Sequence, residues 1–289
     1  MTAVLPSSPT TGRAATRATA PLGRLVAAEL RWVLRRPRTL VVLGLLALIP
    51  VAVAIGIALA GSPSSGRGPG LVAQVAGNGF VLPVVALGLA LTLLLPLAVA
   101  SSAADAIAGE ASTGTLRGLL LAPVGRMRLV VMKSAGVITV AVLAVVIVAV
   151  VGMVAGAVVV GGPGSLITLS GTTLGFGEAL GRIGLVAAWT IGQLLAVGAV
   201  ALAISTFTEH PLVVLASVLG GMIVFGVLGA IPSLSWLQPL LLTSGFTAGT
   251  DVLRDPLPLD GIASSSLRAL VYVVVGMTIT VVRMRRRDA

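Results

Sequence analysis

Six long apolar runs without charged side chains constrain this chain more than any other feature of its sequence. Hydrophobic residues make up 57% of its 289 residues, and charged residues make up only 10%. A water-soluble domain of this length buries one core and covers it with polar side chains, and this sequence has too few of them. About 20 consecutive apolar residues form a helix that crosses the hydrocarbon core of a bilayer. The sequence therefore predicts an all-α integral membrane protein.

The apolar runs divide the chain into a tail and one membrane domain. We predict transmembrane helices at 39–60, 79–104, 134–160, 183–206, 211–231 and 269–282. Residues 1–21 are rich in Ala, Thr, Pro and Ser and show no apolar periodicity, which predicts a disordered cytoplasmic tail. Residues 22–289 are predicted to form a single six-span domain.

The basic residues predict the orientation, because Lys and Arg are retained preferentially on the cytoplasmic side of a membrane. With the N-terminus inside, fifteen of the 19 basic residues lie in inner segments, and only Arg67, Arg182, Arg254 and Arg268 lie outside. We therefore predict a multi-pass protein of the plasma membrane with both termini in the cytoplasm. Topology and attraction to anionic lipid headgroups also account for the net charge of +10, so we predict no nucleic-acid partner.

The segment before the first span, 22–36, has the pattern of an amphipathic helix. Its apolar residues recur at helical spacing, at Leu22, Leu25, Val26, Leu30 and Val33. Its Arg residues lie largely on another face, and Trp32 suits the headgroup level of a bilayer. We predict an interfacial helix on the inner leaflet, and an ordinary basic flank that only sets the topology explains the pattern equally well.

The segment before the last span, 232–267, is too long for a simple connector. Residues 234–242 within it are apolar but too few to span, which predicts a re-entrant or interfacial segment. Asp251, Asp255 and Asp260 offer carboxylates for a metal, but Asp residues in an exposed loop are far more often solvated. The chain has no Cys and a single His, so thiolate and histidine-cluster metal centres are excluded. We predict no metal site.

The polar block at 110–133, between the second and third spans, is the strongest candidate for a functional site. Helical spacing over 110–121 predicts a short amphipathic helix. Its apolar side holds Leu116, Leu119 and Leu120, and its polar side holds Glu110, Thr113 and Arg117. Pro123 should end this helix, because proline lacks an amide donor and restricts the residue before it. Such a helix suits docking of a soluble partner, although a solvated loop that anchors the third span fits the pattern alone somewhat better.

The order of residues in this block is distinctive. Glu110 is followed by Gly114-Thr115-Leu116, Leu119-Leu120, Pro123-Val124, Arg126 and finally Lys133 at the start of an apolar span. This order resembles the ABC-2 type transporter permease family, and Arg35-Arg36-Pro37 before the first span and the six-span layout are similar as well. Two departures are the three residues between Glu110 and Gly114 and a Gly at 125 where Ser is common.

The resemblance implies the membrane subunit of an ABC exporter, a transport subunit and not an enzyme. Two permease chains, identical or different, would form a dimer, and two ATPase chains would dock beneath it and hold the loop helix in a groove. The implied coupling residues are Glu110, Gly114, Thr115, Leu116, Arg117, Leu120, Pro123 and Arg126. Among them, Glu110 and Arg117 are candidates for polar contacts to the ATPase, and Leu116 and Leu120 are candidates for the apolar anchor. The alternative for Glu110 is a simple ion pair with a neighbouring Arg.

ATP and Mg would bind the partner ATPase. A phosphate-binding loop needs a Gly directly before its Lys, and the only Lys of this chain, Lys133, follows Met132. We therefore predict no catalytic residue and no cofactor in this chain.

Two other functions stay open. A secondary transporter usually keeps ionisable groups near the bilayer midplane, whereas the predicted spans hold none. Gln193 is their clearest polar side chain and the candidate for a translocation path. A non-transporting assembly or scaffold protein is harder to dismiss, because close packing at Gly152-x-x-x-Gly156 would serve a dimer of any function. For a transporter, the charge-poor spans favour a lipid, drug or other amphipathic substrate.

Overall fold

A computed structural model of the chain describes residues 21–60, 78–114, 125–160 and 166–286. These residues form a helical bundle with eight α-helices: α1 Leu22–Arg35, α2 Pro37–Ala60, α3 Leu82–Thr92, α4 Leu94–Ala104, α5 Arg126–Ala155, α6 Phe176–Ser205, α7 Pro211–Ala230 and α8 Asp260–Arg286. Helix α4 continues through a π-helical turn, Asp105–Gly109, into Glu110–Ser112, and α5 continues through a second one, Gly156–Val160. The tail predicted at 1–21 lies, except for Pro21, outside the described residues.

Six helical segments of the described chain are long and apolar enough to cross a membrane. They are Pro37–Leu59, Leu94–Ser112, Arg126–Val160, Phe176–Ser205, Pro211–Ala230 and Asp260–Arg286. A helix satisfies its own backbone hydrogen bonds, which hydrocarbon requires of any spanning segment. The predicted fold class, an all-α integral membrane protein with six spans, is confirmed.

The run predicted as the second span, 79–104, is not one continuous helix. Leu93 has φ −148° and ψ −50°, so it separates α3 from α4. Pro96 explains the break, because its ring would clash with the carbonyl of Thr92, four residues earlier, in an unbroken helix. The membrane-length helix is Leu94–Ser112, which begins and ends later than predicted. Hydropathy misses the break because Leu93 is as apolar as its neighbours.

The last span is longer than the predicted 269–282, because α8 covers 27 residues from Asp260 to Arg286. The prediction ended the span at basic residues, but the helix runs through them. Nη1 of Arg268 donates to the carbonyl oxygen of Leu241 at 2.6 Å and also to the hydroxyl of Ser244, so neighbouring oxygens satisfy part of this guanidinium.

Close approach of backbones holds the bundle together at glycines. A Cβ added to Gly152 would lie 2.9 Å from Cα of Pro83, and one added to Gly156 would overlap the carbonyl of Gly79. The Gly152-x-x-x-Gly156 pair therefore lets α5 approach the start of α3 within one chain, as small residues do in membranes. Because the contact is intramolecular, this motif gives no support to a dimer.

The segment before α8 forms two short 3-10 helices, Pro232–Leu237 and Leu242–Leu253. The second one packs on the bundle, with Val252 and Leu253 fully buried and Gly249 against the ring of Trp189. A two-stranded antiparallel pair, Leu166–Ile167 with Thr173–Leu174, joins it through a hydrogen bond from the amide of Leu169 to the carbonyl of Leu253, 2.8 Å. The segment is thus a folded cap on one end of the bundle.

The Asp residues of this cap serve in ion pairs. Asp255 pairs with Arg182 at 3.3 Å and Asp251 with Arg254 at 3.8 Å. Within the described residues, no group of three or more His, Cys, Asp or Glu is placed to hold a metal ion.

Candidate functional site

The polar block begins at the end of α4. The π-helical turn Asp105–Gly109 leads without interruption into Glu110–Ser112, and Gly114 then adopts a φ of +74°. A positive φ favours glycine, so Gly114 ends the helix. The predicted register, in which Glu110 starts a new amphipathic helix, is corrected, because Glu110 lies in the last turn of a spanning helix. Periodicity does not reveal this boundary, because it is set by the backbone conformation of Gly114.

The π-helical turn of α4 is held by a neighbouring helix. The backbone amide of Ala108 donates to the hydroxyl of Ser205 at 2.9 Å, at the end of α6. A π-helical turn interrupts the regular backbone hydrogen bonds of an α-helix, and the Ser205 hydroxyl accepts a hydrogen bond from an amide of this turn. Turns of this kind are common at functional sites, and this one directly precedes the candidate loop.

Three charged side chains form a buried cluster beside the loop, which we call the Lys133 cluster. Nζ of Lys133 lies 3.0 Å from Oε1 of Glu29 and also contacts Oε1 of Glu110. The exposed fractions are 2% for Lys133 and 7% for each Glu. Buried charges are tolerated when they are paired, and here one ammonium lies between two carboxylates. The cluster joins α1, α4 and α5 at one end of the bundle.

A cationic layer lies next to the cluster at the junction of α1 and α2. The guanidinium carbon of Arg36 lies 3.1 Å from the centre of the Trp32 ring, a cation–π contact. Arg36 and Arg38 both pair with Asp105 of α4, at 3.4 Å and 3.3 Å. Burial lowers the pKa of the Arg36 guanidinium, and the neighbouring carboxylates, Asp105 first, oppose this shift. An arginine side chain keeps its charge in proteins, so Arg36 remains a cation.

Helix α1 is docked on the bundle rather than attached only by its chain ends. A Cβ added to Gly136 of α5 would lie 3.4 Å from Cγ2 of Val33 and 3.5 Å from Cγ of Glu29. The predicted amphipathic helix therefore exists, and its inner face contacts α5. An ordinary basic flank would need no such contact.

Arg126, a predicted coupling residue, begins α5 and reaches the end of α8. Its Nη1 donates to the carbonyl oxygens of Arg285 at 2.7 Å and Met284 at 3.3 Å. Carbonyls in the last turn of a helix have no partner within the helix, so a cation there satisfies them and matches the helix dipole. Residues 115–124, which include Thr115, Leu116, Arg117, Leu120 and Pro123, lie outside the described residues. Both flanks of this segment are tied to other helices of the bundle.

Gln193 lies near the middle of α6 and is only 1% exposed. Neither Nε2 nor Oε1 of its amide has a hydrogen-bond partner among the described residues. A buried amide without a hydrogen-bond partner costs about 1–3 kcal/mol, so Gln193 is a costly polar side chain to bury in the middle of α6. Its place on a translocation path stays a prediction.

Sequence reasoning missed the role of Glu29 and Lys133, although a signal was present. Glu29 shares the helical stripe of Val26 and Val33, so its carboxylate points to the apolar side of α1. A charged residue on a buried stripe needs a buried partner of opposite charge. Among the described residues, Glu110 pairs with a basic residue of α5, Lys133.

The six membrane-length helices of the described residues are those of a multi-pass membrane protein. A family model described as ABC-2 family transporter protein matches residues 25–197. The match covers more than half of the chain and includes the Lys133 cluster and the polar loop. The chain belongs to the ABC-2 family, so it is a membrane permease of the ABC transporter class, and the predicted family is confirmed. No curated protein matches the chain.

Proposed function

We propose that this chain is the permease subunit of an ABC exporter at the plasma membrane. In this proposal a separate ATPase hydrolyses ATP, and the permease, as a dimer, moves a lipid, drug or other amphipathic molecule outward. Family membership supports a transport subunit, and permeases of this family normally pair with an ABC ATPase. Export, the dimer and the substrate class go beyond that membership.

The Lys133 cluster is the observation that supports coupling to a motor. Glu110 lies just before the segment 115–124, and Lys133 lies about two turns into α5, the helix that follows this segment. Because Lys133 contacts both Glu110 and Glu29, a push on the loop is passed to α1, α4 and α5 together. Opposite charges attract more strongly in a low-dielectric interior than in water, so the three helices resist separation at this cluster. Arg126 extends the same connection to α8.

The burial of Glu110 changes its proposed role. Its carboxylate faces Lys133 inside the bundle, so we propose that it positions α4 against α5 instead of touching the ATPase. Leu116 and Leu120 remain the proposed apolar anchor, and Arg117 remains the proposed polar contact. Thr115 and Pro123 would shape the two ends of the docked segment.

The orientation proposal rests on the basic residues around the Lys133 cluster. Five basic residues lie on α1 and at the start of α2: Arg24, Arg31, Arg35, Arg36 and Arg38. This is the end of the bundle where Arg126 contacts the end of α8. Positive residues remain preferentially in the cytoplasm, so this end would face the ATPase and both termini would be cytoplasmic.

The two alternative functions are less well supported. A secondary transporter would keep charged groups near the midplane, whereas the apolar runs 39–60, 79–104, 134–160, 183–206, 211–231 and 269–282 contain no Asp, Glu, Lys, Arg or His. An assembly or scaffold protein would need no mechanical link between a loop and three helices. The substrate class is proposed from the apolar middle of the bundle, where Gln193 and Thr190 are buried polar exceptions.

Leu116→Asp is expected to weaken coupling to the ATPase strongly. An Asp at this position would bury a charge in the apolar groove of the ATPase. Both co-purification with a candidate ABC ATPase and permease-stimulated ATP turnover should therefore fall about tenfold or more. Leu259→Asp is the matched control, since Leu259 is 57% exposed in the segment before α8. Glu110→Ala is unsuitable, because it would also disturb the Lys133 cluster.

The coupling proposal is wrong if the Leu116→Asp chain folds normally and still binds and stimulates the ATPase as the Leu259→Asp control does.

A further inference from the structure

A groove between α2, α4 and α7 runs from the α1 end of the bundle toward its middle. It encloses about 260 Å³. Its walls include Leu45 and Ile49 of α2, Leu94 and Leu97 of α4 and Leu215 of α7. Arg38 lies at one end of the groove and, among the described residues that line it, is the one with a charged side chain.

The length of this groove matches one leaflet of a bilayer. Arg38 and Ile49 mark its two ends along α2, and eleven residues of helix rise about 16 Å. Half of the hydrocarbon core of a bilayer is about 15 Å thick. With Arg38 at headgroup level, the apolar walls therefore reach the bilayer centre, which is the depth that an acyl chain of one leaflet occupies.

The headgroup end of the groove offers an exposed guanidinium. Arg38 pairs with Asp105, a carboxylate that also pairs with Arg36. The side chain of Arg38 is still 55% exposed, so most of its donors are available to another acceptor. A guanidinium binds phosphate oxygens with two parallel hydrogen bonds, which an ammonium cannot do.

We propose that this groove binds one anionic phospholipid of the bilayer, with an acyl chain along Leu45 and Ile49 and the phosphate at Arg38. A zwitterionic lipid would bring its own cation to a site that already holds two guanidinium groups, so it binds more weakly. The lipid fills the gap between α2 and α4 beside the Arg36–Asp105 pair and stabilises that junction. The site requires only that the chain lies in a membrane, so it does not depend on ATPase coupling.

The test uses the full chain in detergent with phosphatidylglycerol or phosphatidylcholine of identical acyl chains. Native mass spectrometry counts retained lipids, and thermal unfolding measures stabilisation. We expect one phosphatidylglycerol to be retained and to raise the melting temperature more than phosphatidylcholine does. Arg38→Gln should weaken phosphatidylglycerol retention about tenfold, the equivalent of one charge-assisted hydrogen bond. Arg254→Gln, an exposed arginine paired with Asp251 at the cap, should leave retention unchanged.

Two further arms separate a lipid site from a simple anion site. Leu45→Trp should fill the groove and weaken retention while Arg38 stays in place, and it carries the test if the Arg38 variant does not fold. Glycerol 3-phosphate, which has the headgroup chemistry without acyl chains, should give no stabilisation. Equal retention of the two lipids, an equal loss in the Arg254→Gln control, or full stabilisation by glycerol 3-phosphate would each overturn the proposal.

Discussion

Lys133→Met is expected to lower the free energy of unfolding by about 3–5 kcal/mol, the usual cost of removing one partner from a buried ion pair. The substitution leaves the carboxylates of Glu29 and Glu110 facing each other at 7% exposure without the ammonium between them. Met has a side chain of similar volume to Lys, so the loss of stability is due to the lost charge. The measurement is reversible unfolding of the purified chain in detergent, followed by melting temperature where unfolding is irreversible.

The matched variants separate charge from packing. Lys133→Arg keeps the cation and should retain most of the stability. Neutralising the whole cluster, with Glu29→Gln and Glu110→Gln added to Lys133→Met, should recover much of the loss, because no unpaired buried charge remains. Arg254→Met removes an exposed cation and should have little effect. Equal stability of the Lys133→Met and Arg254→Met chains would show that the cluster does not hold α1, α4 and α5 together.

Gly276→Val is expected to destabilise the chain by about 3 kcal/mol, the upper end of the usual cost of overpacking. A Cβ at this position of α8 would lie 2.7 Å from both the carbonyl carbon and the oxygen of Ala199 in α6. These are backbone atoms, so they cannot move aside as the tip of a side chain would, and the two helices would have to separate. Thermal unfolding of the purified variant measures the effect.

Gly226→Val is the control for this substitution. Gly226 lies in α7, also a spanning helix, and a Cβ added there meets no heavy atom within 4 Å. The change from Gly to Val is the same, so a difference between the two variants reports the contact of α8 with α6. If both variants melt at the same temperature, the close approach of these two helices does not contribute to stability.

Hydropathy was sufficient to predict the fold class, because each spanning helix must be apolar along most of its length. It was insufficient at Leu93, where the helix breaks because the ring of Pro96 would clash with a carbonyl of the preceding turn. It also ended the last span too early, because a hydropathy window stops at Arg268 and Arg283 although the helix runs past both. Charges mark where polar side chains begin, which is not always where a helix ends.

The order of residues from Glu110 to Lys133 drew attention to this block, and its role as a coupling site stays a prediction. In the structure Glu110 lies in the last turn of one spanning helix and Lys133 lies in the next one. The contact of Lys133 with Glu29 joins residues 104 positions apart, which no local periodicity encodes. Glu29 on the apolar stripe of α1 did indicate a buried partner, and the identity of that partner required the tertiary arrangement.

The measurement that tests the central claim most directly is transport in proteoliposomes. The chain would be reconstituted with a candidate ABC ATPase and a fluorescent amphipathic tracer. We predict that the tracer moves only when both proteins and hydrolysable ATP are present, and that a non-hydrolysable ATP analogue abolishes sustained movement. Movement driven by a proton or sodium gradient through the chain alone, without an ATPase, would contradict the account.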